Sequence, residues 1–199
     1  DDMMAGSVIV WAYMQTGLKK YRQASDKIRA AFDNYPRTSL GGFWHGRSTP
    51  GQIWVDGVFM GQMFLTRYGK YIGDDKYCFE EAAKQLELIE KYCKKDVTGL
   101  LYHAWSEDLN VSWADSKTGL SPEVWSEGLG WYALILVETL EIFPFEHPKR
   151  NQLVEQLERL LKGLINTQDY KTGLWYQVVD KGGQPGNWND TSGSAMFIY

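Results

Sequence analysis

The sequence predicts an all-α protein of stacked helical hairpins, arranged either as a solenoid or as a closed double ring. Three observations lead there. Some segments carry apolar residues at three-four spacing with charges on the far side, the signature of a helix with one wet face. Others are apolar nearly all round and belong inside. The two kinds alternate, and the connectors between them rhyme, which marks a repeat of hairpin length.

Taken in order, the opening "MMAGSVIVWAYM" (3–14) reads as an inner helix and "YRQASDKIRAAF" (21–32) as a weaker outer one. "GQIWVDGVFMGQMFL" (51–65) is inner again, its Gly and Ala-sized positions allowing close packing. In "CFEEAAKQLELIEKYC" (78–93), Phe79, Ala82, Ala83, Leu86, Ile89 and Cys93 form the dry stripe of an outer helix. "WSEGLGWYALILVETL" (125–140) is inner, and in "RNQLVEQLERLLKGLI" (150–165) Leu153, Leu157, Leu160, Leu161 and Leu164 predict the next outer stripe. The closing "SGSAMFIY" is inner. Only short runs such as "LWYQVV" suggest strand. "GGFWH" (41–45), "GLLYH" (99–103) and "GLWYQ" (173–177) each follow an outer helix and lead, through a polar loop, into an inner one. All such loops then share one rim. The whole of 1–199 reads as one domain, and because both ends fall inside inner helices, it is expected to be part of a larger ring whose bare faces would pair or aggregate.

Composition limits the function classes. A net charge of −4 offers no basic footprint for nucleic acid. Aromatic residues make up 15% of the chain, with nine Trp, which suits either sugar-stacking surfaces or a large aromatic core. Cys78 and Cys93 lie on one predicted helix, about 22 Å apart and beyond disulfide reach. No Cys or His spacing of metal-site type occurs, so no metal is expected. No signal peptide and no apolar run of membrane-spanning length are seen, so no membrane partner is expected either. The abrupt apolar start leaves a cytoplasmic or periplasmic location open.

Repeat geometry gathers polar residues from distant parts of the chain. His45, His103 and Gln177 hold matching places in the three loops, and Asp1 or Asp2, Asp56, Glu127 and Asp190 stand where inner helices begin. Asp56 sits alone in an apolar run. The helix dipole favours its anion and burial disfavours it, which suits a group that gives a proton and takes one back; a cap or a buried link between hairpins is the structural alternative. The matching histidines serve a site or simply line a surface, and His147 in "FEHPKR" reads as a surface residue at the far end. Trp44, Trp54, Trp125 and Trp131 lie near the rim as core or as sugar-stacking faces. Arg47 and Lys181 are loop cations available to a substrate carboxylate, or merely solvated.

Five motifs in register, "FWH" with "PGQIWVDGVFM", "GLLYHAW", "SPEVWSEGLGWYA", "TGLWYQVVD" and "TSGSAMFIY", resemble glycoside hydrolase family 105, the unsaturated rhamnogalacturonyl and related uronyl hydrolases. The resemblance implies an (α/α)6 barrel, only part of which this chain would supply. It also implies a small oligosaccharide substrate ending in a 4,5-unsaturated uronic acid, and no cofactor. By the same match Asp56 is the catalytic acid, Asp1 a second active-site acid, and Trp44, His45, Met60, His103, Trp125, Glu127 and Trp131 substrate-binding positions. Two departures stand out: Gly46 replaces a Lys after the histidine, and "WSEGLGW" puts Glu127 and Leu129 where many members have Arg and Asn. Losing a cation beside an anionic sugar should weaken or redirect recognition. A non-catalytic or substrate-drifted carbohydrate binder on the same ring, and an ordinary inverting glycosidase, are the alternatives.

Overall fold

A computed structural model describes residues 3–199. Seven helices alternate as expected: α1 (Gly6–Thr16), α2 (Lys19–Ala31), α3 (Val55–Tyr71), α4 (Asp75–Cys93), α5 (Ser126–Ile142), α6 (Arg150–Thr167) and α7 (Thr191–Ile198). The inner helices contact one another in series, α1 with α3, α3 with α5, and α5 with α7. Behind them, α2, α4 and α6 form the outer layer, α2 against α1, α4 against α3 and α6 against α5. The result is an arc of three hairpins plus a seventh helix.

The dry stripe predicted for α4 is the stripe it buries, from Phe79 to Cys93. Cys78 and Cys93 lie on this one helix as buried free thiols. Gly69 on α3 allows the two helices to meet: a Cβ there would lie 2.7 Å from the Cβ of Cys78. The main core runs between the layers, with Val58, Phe59, Leu129, Tyr132 and Leu136 from inside meeting Leu86, Ile89, Leu153 and Leu160 from outside. Burying large apolar side chains of this kind contributes about 1.5–3 kcal/mol each.

Two expectations need correction, and a third is met. On α6 the buried stripe is Leu153, Gln156, Leu160, Gly163 and Leu164, while Leu161 is 42% exposed. The helix is rotated because Gln156 points inward, where its Oε1 accepts a hydrogen bond from the Tyr132 hydroxyl. On α1 the apolar surface is bare, as expected for part of a ring: Val8 and Trp11 are 63% and 59% exposed, since only α2 and α3 cover this helix substantially. His147 is half-buried rather than a bare surface group, its ring packed on Phe143 and facing the edge of Phe79.

The rim loops hold more strand than the sequence suggested. β1 (Gln52–Trp54) pairs antiparallel with β4 (Ala104–Ser106), β2 (Lys94–Lys95) with β3 (Leu100–Leu101), and β5 (Trp175–Tyr176) with β6 (Asn189–Asp190). Residues 51–54, read as helix from their apolar run, are mostly strand β1, and the helix begins only at Val55. Pairing with β4 takes the backbone hydrogen bonds that a helical turn would have used, a case of tertiary context overriding pattern. Among the described residues no helix is long and apolar enough to cross a membrane.

Candidate active site

A single hydrogen-bond pattern builds the rim three times. The N–H groups of His45, His103 and Gln177 donate to the carbonyls of Gln52, Glu123 and Trp188, each three residues before an inner helix begins. The carbonyls of His103 and Gln177 in turn accept from Val55 and Ser126, the first residues of α3 and α5. Each loop therefore satisfies an N-terminal donor of the preceding hairpin's inner helix, which would otherwise be orphaned. Equivalent positions follow directly. Asp56, Glu127 and Ser192 are the second residues of their helices, and Gly57, Gly128 and Gly193 the third.

The glycines exist to admit what lies over them. A Cβ on Gly57 would lie 2.6 Å from His45 Nδ1, and one on Gly128 would lie 2.7 Å from His103 Nδ1. Each imidazole thus sets its Nδ1 against the first turn of an inner helix. His103 turns its Nε2 toward Asp56, 3.7 Å from Oδ1. The two side chains are only 18% and 17% exposed, and Asp56 Oδ1 has no hydrogen-bond partner among the described residues. Burial pushes the pKa of both His45 and His103 down, and the negative charge of Asp56 offsets this only in part. Both rings are therefore held neutral near neutral pH, as hydrogen-bonding rather than charged groups.

Aromatic faces surround this centre. Trp54 stacks on His45 with centroids 4.2 Å apart and meets His103 edge-on at 5.4 Å; Trp125 meets the other side of His103 at 4.9 Å. Trp54, His103, Trp113 and Trp125 line a hollow of about 230 Å³. Trp44, His45 and Met60 instead line a separate small cavity of about 60 Å³ that reaches back toward Gln62 and α4. Trp131, one turn deeper on α5, packs against Phe59. Glu127 accepts a hydrogen bond from Ser192 Oγ, and Asp190 caps α7 while accepting from Ser126 on α5.

Of the positions singled out in the sequence, the structure gathers Asp56, His45, His103 and Trp125 in one cluster with Trp54. Trp44 and Met60 border it, while Glu127 and Trp131 belong to the neighbouring helix. Asp1 lies outside the described residues. Lys181 is not a free cation: it is paired with Glu123 at 2.6 Å. Arg47 stands over the Tyr35 ring. Trp113 escaped notice because its loop, "EDLNVSWADSKTGLS", has no periodic pattern. A lone large aromatic amid turn-forming residues was the available signal. Among the described residues no three His, Cys, Asp or Glu side chains gather as a metal site.

Comparison with known proteins follows the same lines. The family described as Glycosyl Hydrolase Family 88 matches residues 1–199. Protein Atu3128 of Agrobacterium fabrum is 38% identical over 140 residues, 70% of this chain and 58% of that protein. The unsaturated rhamnogalacturonyl hydrolase YesR of Bacillus subtilis is 26% identical over 96% of this chain and 54% of its own. A family 105 glycoside hydrolase of C. acetobutylicum superposes with a TM-score of 0.96 at 40% identity, covering 100% of this chain and 55% of that one. A possible family 105 member from Salmonella enterica gives 0.84 at 27%, covering 99% and 50%. The chain thus spans just over half the length of these relatives, and its arc of hairpins is part of their α/α barrel.

Proposed function

The chain belongs to Glycosyl Hydrolase Family 88, and from that premise we propose that it contributes the catalytic half of a hydrolase acting on oligosaccharides that end in a 4,5-unsaturated uronic acid. Asp56 is the general acid and then the base. Its carboxyl proton goes to C4 of the enol ether, and the positive charge left at C5 is shared with the ring oxygen. Water then adds at C5 and yields its proton to the Asp56 carboxylate, restoring the acid. The hemiketal so formed opens, and the glycosidic bond is lost with it. One carboxyl group can serve both steps, so the paired-carboxylate spacing of ordinary glycosidases does not apply.

The observation that carries this reading is the carboxylate oxygen of Asp56, unpartnered and mostly buried, on the first turn of α3 beside a neutral His103. A structural cap would spend that oxygen on a backbone N–H; here α3 begins with no side-chain cap. His45 and His103 are placed to hydrogen-bond sugar hydroxyls, and the Trp rings to cover the sugar's C–H faces. Rhamnogalacturonan products are the default substrate, after the YesR-like relatives. Glu127 argues for a shifted preference. It puts a carboxylate at the rim position equivalent to Asp56, where an arginine would attract an acidic sugar.

The test uses disaccharides released by polysaccharide lyases, with the ultraviolet absorbance of the conjugated enol ether as readout. Loss of absorbance is expected with the protein, and Asp56→Asn should reduce the rate by at least about a hundredfold, given that general acid–base catalysis contributes roughly 10²–10⁴-fold, while leaving binding measurable. An Asp56→Asn protein with an unchanged rate removes Asp56 from the mechanism.

A further inference from the structure

Resting on that reading, we infer that Trp113 forms the stacking floor of a subsite for the sugar next to the unsaturated uronate.

Trp113 belongs to neither apolar core, although it is one of the largest side chains in its loop. Its placement is nonetheless fixed. On one shoulder, Asp108 Oδ1 accepts from the Asn110 N–H at 2.9 Å. On the other, Asp115 Oδ1 accepts from the N–H groups of Lys117 and Thr118 at 3.0 and 2.8 Å, and from the Thr118 hydroxyl. Ser106 N–H bonds to the Gly119 carbonyl and closes the loop at its base. Two side-chain-locked turns therefore hold up an indole that the core does not use, and ordering so polar a loop costs entropy that packing there does not offset.

What the indole faces is the hollow of about 230 Å³, whose other aromatic walls are Trp54, His103 and Trp125. That size approaches the lower end of small-ligand sites, about 300 Å³. Trp54 and Trp113 stand perpendicular, 89° apart with centroids at 6.5 Å, so they make a corner rather than a closed stack. A pyranose lying in that corner presents a C–H face to one ring and an edge to the other. His103 is shared between the hollow and Asp56, so the sugar in the corner adjoins the reacting one.

The experiment compares two substrates: the unsaturated uronyl disaccharide with a neutral reducing sugar and the methyl glycoside of the unsaturated uronate. Trp113→Ala should raise the KM of the disaccharide about tenfold relative to that of the methyl glycoside, equivalent to about 1.4 kcal/mol of lost stacking, with the two kcat values changing in parallel. Trp113→Phe should recover most of the ratio, which a merely destabilised loop would not. A KM ratio that Trp113→Ala leaves unchanged overturns the proposal. If no unsaturated uronide is turned over at all, the catalytic reading fails and the subsite is judged separately. Calorimetric titration with the saturated neutral disaccharide then supports it if Trp113→Ala weakens binding, and overturns it if binding is equal or absent.

Discussion

Asp56 comes from α3 and His45 and His103 from two different loops, yet their energetics are one problem. Each imidazole has given up water to lie on a helix turn, and the nearby carboxylate repays only part of that loss. Both histidines therefore bind a proton less readily folded than unfolded, where the ordinary value is near 6.5. In the interval below that value the unfolded chain carries more protons, so stability rises with pH. It is complete above about pH 6.5 and falls as the pH drops toward the folded values. Urea midpoints should accordingly decline from about pH 7 to 5.5, and replacing both histidines by Gln should flatten that slope. A midpoint that ignores pH across this interval, or an unchanged slope in the double variant, contradicts the burial argument. The sequence exposed His45 and His103 because they hold matching places in the repeat, and Asp56 because it stands alone in an apolar run. It could not expose Trp113, whose loop has no counterpart in the other hairpins, nor the pairing of Lys181 with Glu123, which depends on side chains 58 positions apart.

The first turn of an inner helix is the element on which the site is built, and in α3, α5 and α7 its third residue is glycine. The reason is steric. At Gly128 an added methyl group would meet His103 Nδ1 at 2.7 Å and Trp125 at 3.3 Å, so the imidazole must move away from its place beside Asp56. Alanine also favours helix over glycine by about 1 kcal/mol, which offsets part of the strain. Gly128→Ala should therefore cost activity while sparing the fold. We expect at least about a tenfold loss of kcat/KM, or 1.4 kcal/mol of transition-state stabilisation, with a melting temperature close to that of the wild type. Gly61→Ala on α3 is the control, because its Cβ would meet only Phe32 at an ordinary 3.6 Å. Equal activity in the two variants would show that the contact between the glycine and the ring is not what orients His103. The glycines themselves were readable in "VDG", "SEG" and "TSG". The purpose of Gly57 and Gly128 was not, since it lies in a ring supplied by a loop ten or more residues earlier.

At the scale of the whole molecule, alternation of wet and dry helices specified the architecture because each kind of helix tolerates only one kind of neighbour. An outer helix with one dry stripe must back onto something, and an inner helix apolar all round must be enclosed. α3 and α5 meet that requirement: each has an inner neighbour on both sides and an outer helix behind. Ring closure is not encoded in any one repeat, and neither is the rotation of α6, which one inward glutamine sets. α1 meets the requirement on one side only. Val8, Trp11, Met14 and Leu18 are all at least 45% exposed, and a single buried aromatic accounts for about 150–250 Å² of apolar surface. Residues 8 and 11 lie one helical turn apart and so form a continuous patch. The 199-residue chain should therefore self-associate in solution, with its weight-average mass by sedimentation rising with concentration. Val8→Lys combined with Trp11→Glu should return it to the monomer mass while leaving the helical circular dichroism unchanged, because neither side chain contributes to the described cores. A wild-type chain that stays monomeric at every concentration would mean that this face is tolerated bare. A double variant that still associates would move the contact to another surface, such as the one bearing the exposed Leu161 and Ile165 of α6.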